Sequence, residues 1–250
     1  MRNGNNIKKA GKNHDSCGKS EIFLYRRKKY SEWNFLSYKK GSVTGLIGDS
    51  GCGKSTLCHI LSGIIPNEID GEISGEVKIA GQPLKYMELN EAAEYVGLVM
   101  QDPDRQIVTS TVEDELAFGL ENRCILPSEI VERVEYMLDF LEIRNLRYEN
   151  PGRLSGGQKQ LVSIGGILTL KPPVLILDEP FSHLDENGRM LVEQLIHKMK
   201  EAGQTVLIVE HNYEYIQFAD QFIWLEDGTI QAEGTPEEVL NLYESCSKGS

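Results

Sequence analysis

Val43-Thr44-Gly45-Leu46-Ile47 leads directly into Gly48-Asp49-Ser50-Gly51-Cys52-Gly53-Lys54-Ser55 and then into an apolar segment that ends at Leu61. No other feature restricts the chain as much. The first five residues read as a buried strand, and Ser55 to Leu61 read as a helix. A strand, a turn of the pattern G-x-x-x-x-G-K-[ST] and a helix, in that order, make a phosphate-binding loop. Gly48, Gly51 and Gly53 let the backbone N–H groups of Asp49, Ser50 and Cys52 turn inward around a polyphosphate. Lys54 is expected to reach the β- and γ-phosphates, and Ser55 to place its hydroxyl on Mg²⁺. Thr56 continues a helix whose N-terminus adds partial positive charge.

Two further segments supply what such a loop lacks. Val174-Leu175-Ile176-Leu177-Asp178-Glu179 is an apolar strand that ends in two carboxylates. Strand ends of α/β sheets are where ligands bind. Asp178 is expected to hold Mg²⁺, mostly through water, and Glu179 to polarise a water for in-line attack. Leu154-Ser155-Gly156-Gly157-Gln158 opens another apolar helix. There Ser155, Gly156, Gly157 and Gln158 can offer hydroxyl and amide donors to an anion, backed by the helix dipole.

These segments are organised as an α/β core interrupted by a helical insertion. Residues 1–20 read as a loose basic arm, 21–100 and 171–245 as the core, and about 101–170 as the insertion. Strands are expected at Ile22–Tyr25, Gly75–Ala80 before a turn at Gly81-Gln82-Pro83, Tyr95–Met100, Val174–Leu177 and Thr205–Val209. Helical spacing covers Glu113–Leu120, Glu129–Leu141 with Ser128 as N-cap, Ser155 to about Leu170, and Glu186–Glu201. Phe222–Leu225 and Thr229–Gln231 flank Asp227-Gly228, a hairpin signal. Thr235-Pro236-Glu237-Glu238 reads as a capping box that opens a last helix. At 250 residues and 26% charged, the chain has the make-up of a globular domain with one insertion. No apolar run approaches the ~20 residues that span a bilayer, and we expect residence in the cytosol. Residues 1–40 carry 11 Lys/Arg against 3 Asp/Glu, which leaves 15 against 35 for the rest. A body this acidic argues against a nucleic-acid surface. The five cysteines fit neither a zinc site nor a redox pair. Cys52, beside Lys54 and a helix N-terminus, is expected to be thiolate-prone and sensitive to thiol reagents.

Taken together, the motifs resemble those of ATP-binding-cassette (ABC) ATPases over residues 21–245. Gly48–Ser55 and Val174–Glu179 are similar to the Walker A and Walker B motifs, and Leu154–Gln158 to the signature motif. Ser182-His183-Leu184-Asp185 resembles the D-loop, Gln101 the Q-loop glutamine that also reaches the metal, and His211 the switch histidine. Tyr25 resembles the aromatic residue that stacks on adenine, with Tyr30 as a second choice. Leu161, His183 and Gly165-Gly166 depart from the usual residues at their positions. The resemblance implies a RecA-like P-loop core with an antiparallel β element and an inserted helical subdomain. It also implies a head-to-tail dimer, of two copies or of two related cassettes, in which Ser155 and Gly157 of one subunit, with Asp185, complete the ATP site of the other. Gln101–Gln106 followed by Thr111–Asn122 is similar to the corresponding region of energy-coupling-factor ATPases. That likeness implies uptake of a vitamin or of cobalt or nickel ions at the cytoplasmic face of the membrane. The partners would be a transmembrane coupling subunit and a substrate-binding membrane subunit. The alternative is a soluble ABC ATPase of DNA repair or translation, for which a basic surface and long coiled coils are expected. The acids of 101–122, above all Glu113 and Glu115, are expected to form the docking face, with Phe118 and Leu120 as apolar anchors.

Overall fold

The computed structural model describes residues 19–24, 34–71, 73, 77–84 and 87–247, with 19–24, 34–38 and 247 described through their backbone alone. In chain order the strands are β1 (Lys19–Leu24), β2 (Asn34–Lys39), β3 (Val43–Ile47), β4 (Lys78–Ile79), β5 (Gln82–Pro83), β6 (Val96–Val99), β7 (Val174–Asp178), β8 (Thr205–Val209), β9 (Gln221–Glu226) and β10 (Thr229–Gly234). The helices are α1 (Lys54–Leu61), α2 (Ile64–Asn67), α3 (Leu89–Ala92), α4 (Pro103–Gln106), α5 (Val112–Asn122), α6 (Pro127–Phe140), α7 (Gly156–Leu168), α8 (Glu186–Glu201) and α9 (Pro236–Ser247).

Six strands form one sheet in the order β10-β9-β3-β8-β7-β6, parallel except for β10. β3 and β8 are buried at every position because both faces of the sheet are covered. The strand period of two divides their side chains. Val43, Ile47, Leu175, Leu177, Val206 and Ile208 face one core, against α7 and α8. Leu46, Ile176, Leu207 and Val209 face the other, against α1. Each such side chain contributes about 1.5–3 kcal/mol on leaving water. The sheet is therefore a rigid base, and it sets where its strand ends stand.

β1 and β2 pair antiparallel, Lys19 opposite Lys39 and Leu24 opposite Asn34. β1 thus starts at Lys19, earlier than the expected Ile22. The other small pairing, β4 with β5, corrects the expectation for Gly75–Ala80. Ala80 and Gly81 both have positive φ (50 and 80°) and make a two-residue hairpin turn, so Gln82-Pro83 is its second strand. Residues 74–76 lie outside the described residues. α4 to α7 stand between β6 and β7 in the chain. α6 starts at Pro127 with Leu126 as its N-cap, and the expected cap Ser128 lies inside the helix. Proline has no N–H to satisfy and a φ suited to the first helical position, so the helix opens one residue earlier.

Candidate functional site

Four parallel strands deliver their following residues to one edge of the sheet: Gly48 after β3, Gln101 after β6, Asp178 and Glu179 at the end of β7, and Glu210 and His211 after β8. The tight loop after β3 requires its glycines. Gly48 has φ 153°, and a Cβ there would lie 2.1 Å from the carbonyl oxygen of Leu225. Gly53 caps α1 in the left-handed region at φ 111°. The turn of the β9–β10 hairpin braces the loop from outside, with Gly228 N–H donating to the Cys52 carbonyl at 2.7 Å. From α9, Tyr243 donates its hydroxyl to Asp49 Oδ1 at 2.9 Å. Burial and that carboxylate push the Tyr243 phenol up to about 12.

Lys54 is buried, and its ammonium lies back over its own loop. Nζ donates to the carbonyls of Gly48 (2.6 Å) and Asp49 (3.0 Å). Two carbonyls against a full positive charge leave room for a stronger acceptor, which an anion would supply. Gly51, Asp49, Ser50, Ser55 and Thr56 are exposed at the mouth of the loop. Ser55 bonds to the Asp178 carboxyl, whose pKa is raised by burial and by Glu179 and lowered by Ser55, His59 and Lys54. A hydroxyl and a half-buried carboxylate on a loop shaped for phosphate form a hard-oxygen donor set that suits Mg²⁺.

The polar groups at the ends of β6, β7 and β8 converge on Glu179. Its Oε2 accepts from Gln101 Nε2 at 2.8 Å and from Ser182 Oγ at 3.1 Å, and His211 Nδ1 stands 3.5 Å away. Glu179 has a positive φ of 45°, and its N–H donates to the Val209 carbonyl. This local backbone twist turns its side chain out of the strand register, toward Gln101 and His211. The arrangement can hold a water against a carboxylate base.

Ser155 is the N-cap of α7 in a reciprocal capping box. Its Oγ accepts from Gln158 N–H, and Gln158 Oε1 accepts from Ser155 N–H. Gly157 packs against Gly188 of α8, where a Cβ would fall 2.5 Å from the Gly188 Cα. Asp185 caps α8, accepting from Gly188 N–H at 2.8 Å. The starts of α7 and α8, with exposed Ser155, Gly156 and Asp185, therefore form one surface. No hydrogen bond or ion pair joins residues 155–158 to residues 48–56 of the same chain. Tyr25 and Tyr30 lie outside the described residues.

Three expectations need correction. Burial pushes the Cys52 thiol up despite Lys54 beside it, so it is not thiolate-prone. Glu115 is buried and accepts from Val108 N–H, Thr109 N–H and Thr109 Oγ (3.1, 3.1 and 2.9 Å), while Glu113 bonds to Arg147. Both acids are therefore committed to the fold. Leu120 is a core residue at 0% exposure, and only Phe118 of the two anchors is exposed.

Glu210 was not singled out by the sequence reading, and Ser182 was noted only as the first residue of the D-loop string, not as a partner of Glu179. Glu210 is a lone carboxylate that follows five buried strand residues, and this is the signal that marks it. Its side chain is 1% exposed. Oε1 accepts from Phe181 N–H at 3.3 Å, and burial raises the carboxyl to about 7.

Comparison with known proteins identifies the family. The family profile described as ABC transporter matches residues 34–182. A putative ABC transporter ATP-binding protein of Pyrococcus abyssi is 41% identical over 211 residues, covering 84% of this chain and 75% of that protein. The energy-coupling factor transporter ATP-binding protein EcfA1 of Listeria innocua is 41% identical over 206 residues, covering 82% and 72%. Among solved structures, cbiO1 from Clostridium perfringens, part of the ABC transporter complex cbiONQ, superposes with a TM-score of 0.78 at 30% identity, covering 91% of this chain and 92% of that one. The ATP-binding cassette MJ0796, in a dimeric post-hydrolysis state bound to ADP and Pi, has a TM-score of 0.69 at 25% identity, covering 87% and 98%. With its parallel P-loop core and helical insertion, the chain belongs to the ABC transporter family and is an ATP-hydrolysing, ATP-binding subunit of that family.

Proposed function

We propose that this chain powers an importer of the energy-coupling-factor type at the cytoplasmic face of the membrane, with a vitamin or cobalt or nickel ions as cargo. In this reading it works as a dimer, of two copies or with a related cassette, on a transmembrane coupling subunit and a substrate-binding membrane subunit. Similarity to EcfA1, an energy-coupling factor transporter subunit, and to cbiO1 of the cbiONQ transporter supports this class of transporter. The observation that carries the catalytic reading is the convergence of Gln101, Ser182 and His211 on Glu179, at the same sheet edge as Lys54, Ser55 and Asp178.

Lys54 moves its ammonium from its own loop carbonyls to the phosphates, and the amides of 49–53 face the same anion. Ser55 and Asp178, with Gln101, would hold Mg²⁺, which would neutralise developing phosphate charge. Glu179 takes the proton of the attacking water, and Gln101 and His211 orient the reacting groups. Ser155, Gly156, Gly157 and Gln158 present donors to the partner subunit's nucleotide, with Asp185 beside them. Their separation from residues 48–56 of their own chain supports that division of labour.

Glu179→Gln tests the reading. It removes the base and keeps the shape of the site. ATP binding should survive, hydrolysis should fall at least a hundredfold, and the ATP-bound protein should elute as a dimer on gel filtration. Near-normal turnover would refute the role given to Glu179. Pull-down of membrane subunits with the native protein, identified by mass spectrometry, tests the transporter class.

A further inference from the structure

The donors around Glu179 and Glu210 are unevenly shared. Glu179 Oε2 receives Gln101 Nε2 and Ser182 Oγ, and His211 Nδ1 stands 3.5 Å from it. Glu210 Oε2, 3.7 Å from the same Nδ1, has no hydrogen-bond partner and is buried. An orphan buried carboxylate oxygen is costly and draws in any donor within reach. Glu210 is also tied to both loops that matter. Its Oε1 takes Phe181 N–H, two residues after Glu179. Its own N–H donates to Leu46 in β3, the strand that leads into the phosphate loop. The carboxyl is thus fixed in the rigid sheet edge, whereas the His211 side chain is half-exposed.

We propose that Glu210 is a positioning residue for hydrolysis. It accepts the Nδ1–H of His211 when that ring leaves Glu179. The proton stays on Nδ1, and only its acceptor changes, from Glu179 Oε2 to Glu210 Oε2. Two effects follow. The imidazole is held with Nε2 pointing away from the sheet, toward the site mouth. Glu179 loses a competing donor from the oxygen that must take a proton from water. This inference rests on the roles given to Glu179 and His211 above.

The test is a double-mutant cycle on the full chain with Glu210→Gln, His211→Ala and the pair together, reading kcat and KM for ATP, with ¹⁵N-histidine NMR of the imidazoles. Glu210→Gln keeps the size of the side chain and an acceptor for Phe181 N–H, so a folded protein is expected. Its kcat should fall about ten- to a hundredfold, the cost of a misplaced catalytic group, with KM within about twofold. In the His211→Ala background the same change should cost nothing further, because the effect passes through the ring. In wild type the neutral His211 ring should carry its proton on Nδ1, a measurement that needs no variant. Unchanged kcat in folded Glu210→Gln, multiplicative losses in the pair, or a proton on Nε2 would each overturn the proposal. If His211→Ala alone leaves turnover intact, the role of His211 fails first and this inference falls with it. If His211→Ala is inactive while Glu210→Gln is silent, only the inference about Glu210 falls.

Discussion

Lys54 and Glu210 show how single buried charges decide this site. The Lys54 ammonium is desolvated and rests on two backbone carbonyls, so its binding free energy is held for a better acceptor. Lys54→Ala should therefore weaken nucleotide binding by about 2–5 kcal/mol, as loss of one member of a buried charged pair does. A fluorescent-nucleotide titration with unchanged affinity would show that the loop is only structural. Glu210 acts in the opposite sense on stability. Its carboxyl is raised from 4.5 to about 7 in the folded protein, so folding favours the neutral form. The folded state is then undisturbed below pH 4.5 and loses stability as pH rises toward 7, by about 3 kcal/mol at most by linkage. Glu210→Gln removes this penalty. Its melting temperature should match wild type near pH 4 and exceed it by several degrees at pH 8. The same offset at both pH values would show that the burial of this charge is not what costs stability.

At the scale of elements, the crossing of α7 and α8 is a tight constraint. Gly157 and Gly188 meet backbone to backbone, and this places Ser155 beside Asp185. Gly157→Ala must push the two helices apart. A loss of about 1–3 kcal/mol is expected, as for overpacked cores, seen as a lower melting temperature together with impaired turnover. Ala at Gly51, where a Cβ meets nothing within 4 Å but φ is 83°, separates backbone strain from clash. Elements of this kind were legible where their signal was long and local. α8 spans Glu186–Glu201 as its apolar period and Asp185 cap indicate, and β8 spans Thr205–Val209 as its β-branched run indicates. Legibility failed where a residue's role was set by distant chain. Glu115 reads as an acid of the docking face, yet it folds back to bind the amides of Val108 and Thr109. Cys52 reads as activated by Lys54, yet its burial outweighs that charge.

For the whole molecule, the motifs of the site were readable as strings but their meeting was not. β3 lies between β8 and β9, whose residues come more than 150 positions later, and no local pattern encodes that order. The same holds for the surface offered to other subunits, where sequence indicated an acidic stretch and the fold decides which acids remain outside. Glu113 is bonded to Arg147, Glu115 is buried, and Asp104 is bonded to Lys159 of α7. Phe118 and Glu121 remain exposed, three positions apart and so on one face of α5. An apolar anchor beside an acid suits a basic, amphipathic helix of a membrane subunit better than it suits an anionic lipid surface. Among the described residues, neither side chain is hydrogen-bonded or ion-paired to Lys54, Glu179 or their partners. Phe118→Asp with Glu121→Lys should therefore keep the ATPase activity of the isolated protein within about twofold, since surface changes away from a site cost little. The same protein should recover less membrane subunit on co-purification and support slower ATP-driven uptake. If both changes are present and uptake is normal, the docking face is elsewhere on the helical segment, and the exposed Val108 between α4 and α5 becomes the next position to change.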